Sequence, residues 1–253
     1  MPDANEMSGD LYVNYLPVPA RDRRFLRYIV PGALWMMCVA SFLWAWAQHS
    51  PGTGVWDDAT PAKLSGTLVT SPYPMLFTDV PGGEREVVLL VEMGKHGARQ
   101  PGALSGQRVT VSGWPLHRDG RRMMELEPGE DAIMPDGSAA GAPPPPPVSF
   151  SPITLRGEIV DSKCYYGAMK PGEGKTHKEC ATLCIRGGIP PMLVTRTADG
   201  TLLYILLTNP MGGPLDPAAH YLIGDFVELA GEWADWSGQR VLRVRAENIR
   251  RLK

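Results

Sequence analysis

Neither sign of charge is in surplus: 25 Lys and Arg stand against 27 Asp and Glu, for a formal net charge of −2. A nucleic-acid binder needs a basic field to displace counterions from phosphates, and none is present. Histidines number five, cysteines four, and aromatic residues make up 8% of the chain. No C-x-x-C pair occurs, so a thioredoxin-type dithiol has no carrier, and the C-x-x-C-H attachment of a c-type haem is missing as well. There is no G-x-S-x-G, no glycine-rich phosphate loop and no H-E-x-x-H, which argues against the common hydrolase, nucleotide-binding and zinc-protease sites. What is abundant is turn chemistry, with 28 Gly and 25 Pro, a composition suited to short strands and linkers. At 253 residues the chain has room for two small domains and some extra structure.

There is one long apolar run. Residues 29–47 are nineteen in number and carry no charge, matching a single bilayer crossing of about 20 residues. Arg21, Arg23, Arg24 and Arg27 precede it, and Asp57 and Asp58 follow. The positive-inside bias then leaves residues 1–28 as a cytoplasmic tail, makes 29–48 a transmembrane helix and puts the remainder outside, in a bacterium the periplasm. Trp35, Trp44 and Trp46 suit interface anchoring, and Pro31 falls in a first helical turn. The aromatic run at residues 11–16 is a docking segment or a solvated tail. Ala45-Trp46-Ala47 would also serve as the cleavage site of a signal peptide. Arg23-Arg24-Phe25-Leu26-Arg27 resembles the tail of a twin-arginine export signal, except that Asp22 stands in the place of the first arginine.

Past the apolar run the pattern is mainly β, and it occurs twice. KLSGTLV, PMLFTD, REVVLLVE, GQRVTVSGW and RRMMELE read as five strands within residues 62–133. ITLRGEIV, PMLVTR, TLLYILLT, DFVELAGEW and RVLRVRAENI read as five more within 151–253. Arg118-Asp119-Gly120, Asp199-Gly200 and Ser237-Gly238 are hairpin signals, and a short helix headed by Asp216-Pro217 is expected at 215–222. GTLV answers GEIV, GQRVTVSGW answers GDFVELAGEW, and GRRMMEL answers GQRVLRV. The expected architecture is a transmembrane helix followed by two tandem OB-like β-barrels. A Pro-rich linker at 134–150 would be a stiff polyproline spacer between them.

The second copy alone carries an insertion, residues 161–191, which holds Cys164, His177, Cys180 and Cys184. Thr176 and Glu179 read as a capping box, opening a helix at 177–186 that Gly187-Gly188 and Pro190-Pro191 end. On that helix His177, Cys180 and Cys184 share one face within roughly 60°. Thiolate and imidazole ligands suit zinc, copper or iron. Yet His177 and Cys184 are about 10.5 Å apart along an ideal axis, so both reach one ion only if the first turn opens. A disulfide from Cys164 to Cys180 or Cys184, a reactive thiol at Cys180 in the first turn, and a plain buried packing cluster are the other readings. His96, in Gly94-Lys95-His96-Gly97, lies on a loop that would be solvated or would touch a partner. Cys38 reads as packing within the apolar run.

The run from Cys164 through Pro191 and on into TLLYILL resembles a segment of uncharacterised, membrane-anchored exported bacterial proteins. In these a cysteine, a histidine and two further cysteines precede a Gly-x-Pro turn in a small OB-like domain. The resemblance covers roughly the last hundred residues. It implies the architecture, singles out Cys164, His177, Cys180 and Cys184, and supplies no reaction. The expectation is a single-pass accessory subunit of a respiratory or other redox complex in the bacterial inner membrane, electron-transferring or non-catalytic. It would carry zinc, copper or an iron–sulfur cluster at those four residues. The alternative is a purely structural or assembly subunit stapled by a disulfide.

Overall fold

The computed structural model describes residues 20–48, 52–79, 85–98, 102–137 and 146–252. The aromatic run at 11–16, residues 80–84 between the expected strands PMLFTD and REVVLLVE, and residues 138–145 of the linker lie outside the described residues. The chain divides into two compact units, 1–50 and 51–253.

The first unit is helix α1, Ala20–Ala47. It starts nine residues before the apolar run, since the Arg-rich flank is itself good helix-forming sequence, and Pro31 is therefore inside the helix. Asp22–Ala47 is the one helix among the described residues long and apolar enough to cross a membrane. Its Trp35, Phe42, Trp44 and Trp46 are all exposed.

In the second unit, strands β1 (Val55–Trp56), β2 (Ala62–Val69), β3 (Met75–Asp79), β4 (Arg85–Val91), β5 (Arg108–Arg118), β6 (Arg121–Leu126) and β7 (Ile133–Pro135) make one sheet. Strands β8 (Ser151–Asp161), β9 (Pro191–Arg196), β10 (Leu202–Thr208), β11 (Phe226–Trp236) and β12 (Gln239–Arg251) close into a five-stranded barrel. Helix α2, Lys178–Arg186, lies between β8 and β9. In the barrel β8, β9 and β10 form an antiparallel meander, β10 pairs parallel to β12, and β11 joins β12 to β8. In the first sheet β2, β3 and β4 form the meander, β4 pairs parallel to β6, and β5 joins β6 to β2.

The connection after each meander is long because the next strand, β5 or β11, pairs with the meander's first strand and not its last. The strand parallel to the last one, β6 or β12, then follows by a tight hairpin. The second of these connections holds the expected short helix as a 3₁₀ turn, Pro217–Leu222, where the Asp216 carboxylate accepts the Ala218 N–H at 2.8 Å. Asp119-Gly120 and Ser237-Gly238 take the left-handed conformation a two-residue hairpin requires, with φ of 49°, 76°, 50° and 87°. The sequence reading missed β1 and β7. At two and three residues, both pairing with β5, they are too short to show alternation.

Three apolar clusters hold the unit together. One fills the barrel (Ile205, Leu207, Leu229, Leu242) and takes Ala181 and Ile185 from α2. One fills the curl of the first sheet (Leu76, Val88, Leu90, Val111). The third lies between the two and draws on both, with Met75, Phe77, Leu89 and Met123 meeting Met192, Leu206 and Trp236. Strands β3, β4 and β10 carry unbroken apolar runs, at 75–77, 87–91 and 202–207, for this reason. One face of each looks into its own sheet and the other into the junction.

Phe77 and Trp236 meet there with ring centroids 5.4 Å apart. Tyr73 Oη donates to Leu207 O at 3.0 Å and accepts the Leu215 N–H at 2.8 Å. Tyr73→Phe leaves both backbone groups buried without a partner. It should lower stability by about 1–3 kcal/mol, seen as a lower urea midpoint with an unchanged slope.

Candidate metal centre

The insertion leaves β8 at Asp161, whose side chain is fully buried. A wide turn over Cys164–Ala168 follows, then α2. The expected capping box does not form. His177, not Thr176, stands at the N-cap, with no side-chain cap bond, because its ring turns inward and places Nε2 2.9 Å from Asp161 Oδ2. The stop is as expected, with Gly188 taking the left-handed position at φ 99°.

The register of α2 splits its buried face. Ala181 and Ile185 go to the barrel core, while Cys180 and Cys184, one position earlier in the same i, i+4 rhythm, go to the junction. Cys164 arrives from the turn, and the three sulfur atoms lie within 4.8 Å of one another. Cys164 and Cys184 are buried and Cys180 is half-buried, and all four cysteines, Cys38 included, are free.

His177 belongs to a second group, with Asp161 and Cys164, whose ligand atoms are also within 4.8 Å of one another. Of the four expected ligands, then, Cys164 is shared: the fold groups it with Cys180 and Cys184 and, separately, with the His177 imidazole. Helical rise is the cause: His177 sits about two turns from Cys184. Asp161 links the groups, since its Oδ1 accepts the Cys164 N–H at 2.8 Å while Oδ2 meets His177.

A fifth residue comes from the first sheet. Lys95, on the loop after β4, places Nζ 2.7 Å from Cys180 Sγ and 3.7 Å from Cys184 Sγ. The insertion clamps this loop on both sides. Lys163 Nζ donates to the carbonyls of Glu92 (2.9 Å) and Gly94 (2.7 Å) and meets Glu125 Oε2 at 2.6 Å as an ion pair. The Gly97 N–H donates to Gly187 O at 2.9 Å.

The approach is closed to any side chain at Gly187, where a Cβ would lie 1.8 Å from Lys95 O. Gly187→Ala must push the loop away, at about 1–3 kcal/mol by the usual scale of overpacking. The checks are a lower thermal midpoint and faster alkylation of Cys180. Sequence reading passed over Lys95 and fixed on His96; the signal it had was a pair of glycines bracketing a basic residue, the mark of close backbone approach.

Charge is shared unequally among the thiols. Cys164 is pushed well up by the hydrogen bond it gives to Cys184 and by burial. Cys184 is lowered, first by accepting that bond and further by the Lys95 ammonium. Contact with the Cys180 sulfur in turn raises Lys95. The donor set suits a soft ion. A trigonal ion bonded to sulfur at about 2.3 Å holds its ligands about 4.0 Å apart, so the three sulfurs need only small adjustments.

No protein-family model, no curated protein and no solved structure matches the chain.

Proposed function

We propose that the protein is a membrane-anchored, extracytoplasmic accessory subunit of a redox membrane complex that holds one soft metal ion through Cys164, Cys180 and Cys184. The observation that carries this reading is the convergence of three free thiols, from a turn and a helix, within 4.8 Å. The anchor is α1, with the bacterial inner membrane as its setting and residues beyond 50 on the periplasmic side. Both sheets are taken as copies of one OB-like barrel, supported by the identical order of strand pairing, parallel pair included.

A set of three thiolates favours cuprous copper or zinc over an iron–sulfur cluster, which as a rule takes four. A bound copper would supply one-electron chemistry, and zinc would supply structural closure. The chain's own residues do the holding. Asp161 fixes the backbone of Cys164 and orients His177, and Lys95 offsets thiolate charge.

Purification of the full chain from membranes in detergent, under reducing conditions, tests the reading by metal analysis. About one thiophilic ion per chain is expected, lost when the three cysteines are replaced. A preparation that neither carries nor takes up copper or zinc would remove the metal role. Alkylation of a second sample, prepared without reductant, that reached only one of the three thiols would instead favour the disulfide staple.

A further inference from the structure

The contact between Lys95 and Cys180 is too short for what it would ordinarily be. Nitrogen-to-oxygen hydrogen bonds span about 2.7–3.2 Å, and sulfur is larger than oxygen by a few tenths of an ångström. At 2.7 Å the pair is closer than an N–H···S bond allows. Nor can both atoms ligate one ion at that spacing, since bonds of about 2.0–2.3 Å at tetrahedral angles keep ligands more than about 3.3 Å apart. Single bonds from nitrogen and from sulfur to one shared oxygen, meeting near the tetrahedral angle, do give about 2.7 Å.

We infer that Lys95 Nζ and Cys180 Sγ are the two ends of an oxidative N–O–S crosslink that joins the first sheet to the insertion and closes the thiol site to metal. Cys184, 3.7 Å from the same nitrogen, is beyond the span of one oxygen and is not the partner. The amine is delivered by construction. Lys163 grips the carbonyls of Glu92 and Gly94 before it, and Gly187 receives the Gly97 N–H after it. Cys180 is the half-buried thiol of the three, so a small oxidant reaches it.

Hydrogen peroxide serves as that oxidant, and the step balances. One peroxide takes the Cys180 thiol to the sulfenic acid and a second takes the Lys95 amine, once its ammonium has released a proton to solvent, to the hydroxylamine, each releasing one water. Condensation of the two releases a third water and forms the S–O–N linkage. One S–H and one N–H bond are lost, sulfur and nitrogen each give up two electrons, and the two peroxides accept the four. Four equivalents of added thiol reverse the step, returning amine, thiol and water and leaving two disulfides of the reductant.

The consequence for the ion rests on the metal reading above; the crosslink itself does not. The test uses the full chain in detergent, stripped of metal with a chelator, then treated with peroxide or with dithiothreitol. Peroxide should add about 14 Da, one oxygen for two hydrogens, located by peptide mapping to a linked Lys95–Cys180 pair and removed by dithiothreitol. Lys95→Arg, which keeps the charge and the fold, should abolish the linked peptide, as should Cys180→Ser, while Cys164→Ser retains it.

Oxidation that stops at sulfenic or sulfinic acid on Cys180, or a disulfide among the cysteines with the Lys95 peptide unmodified, would overturn the proposal. A second measurement keeps the two readings apart. Cuprous ion or zinc, added to crosslinked and reduced samples, should bind at least tenfold more weakly to the first. A crosslink that forms in a protein taking up no ion in either state leaves the bridge standing and removes the metal reading. Uptake by the reduced protein with no crosslink does the opposite.

Discussion

Lys163→Met is expected to cost about 3–5 kcal/mol of folding stability, the scale on which breaking a buried ion pair by removing one partner falls. Lys163 is 4% exposed and its partner Glu125 is 2% exposed, so methionine would leave a carboxylate in an apolar junction with no countercharge. The ammonium also donates to the Glu92 and Gly94 carbonyls, and these would lose that partner too. The measurement is chemical denaturation of residues 51–253 within the full chain, where the midpoint should fall steeply. Adding Glu125→Leu to Lys163→Met should recover much of the loss, since a well-packed apolar pair often replaces a buried ion pair without penalty. Should the double variant be no better than the single, the loss would come mainly from the two carbonyl contacts and not from the stranded charge.

Cys184→Ser should weaken binding of a soft ion by more than about 100-fold, because outer-shell substitutions alone typically cost 10–100-fold and this one removes a ligand. Asp161→Asn, which keeps the shape and removes the charge beside His177 and Cys164, should fall within that outer-shell range. Competition with a chromophoric chelator reads both. A thermal readout runs alongside, since an ion at about 100 times its dissociation constant stabilises the folded state by about 2.7 kcal/mol. Chelation should therefore lower the melting midpoint of the unmodified chain and leave that of Cys184→Ser in place. Equal sensitivity of the two would mean that the ion sits elsewhere.

Much of this architecture can be read in the sequence, and the reasons are local. The apolar run within α1 stands out by length alone. The ten long strands announce themselves by alternation or by unbroken apolar stretches, with Asp119-Gly120 and Ser237-Gly238 between partners. The insertion helix is bracketed by glycines and prolines, and i, i+4 spacing brings Cys180 and Cys184 to one face. What could not be read is whatever the tertiary fold supplies. Lys95 and Cys180 are 85 positions apart, and no pattern in either segment names the other. The junction between the sheets was hidden in the same way. Met75, Phe77 and Leu89 look like ordinary strand residues until the second face is seen to be covered. His177 shows the same limit from the other side: helical spacing groups it with Cys180 and Cys184, whereas the fold sets it with Asp161 and Cys164.

The loop that bears Lys95 belongs to the half of the chain made first, and the sulfurs to the half made last. Between synthesis of Cys184 and the docking of the two sheets, the thiols are a trio without their cationic neighbour or their apolar roof. Assembly is therefore also the moment of sheltering. The chemistry at this spot is governed by when the halves meet, as well as by which atoms they bring.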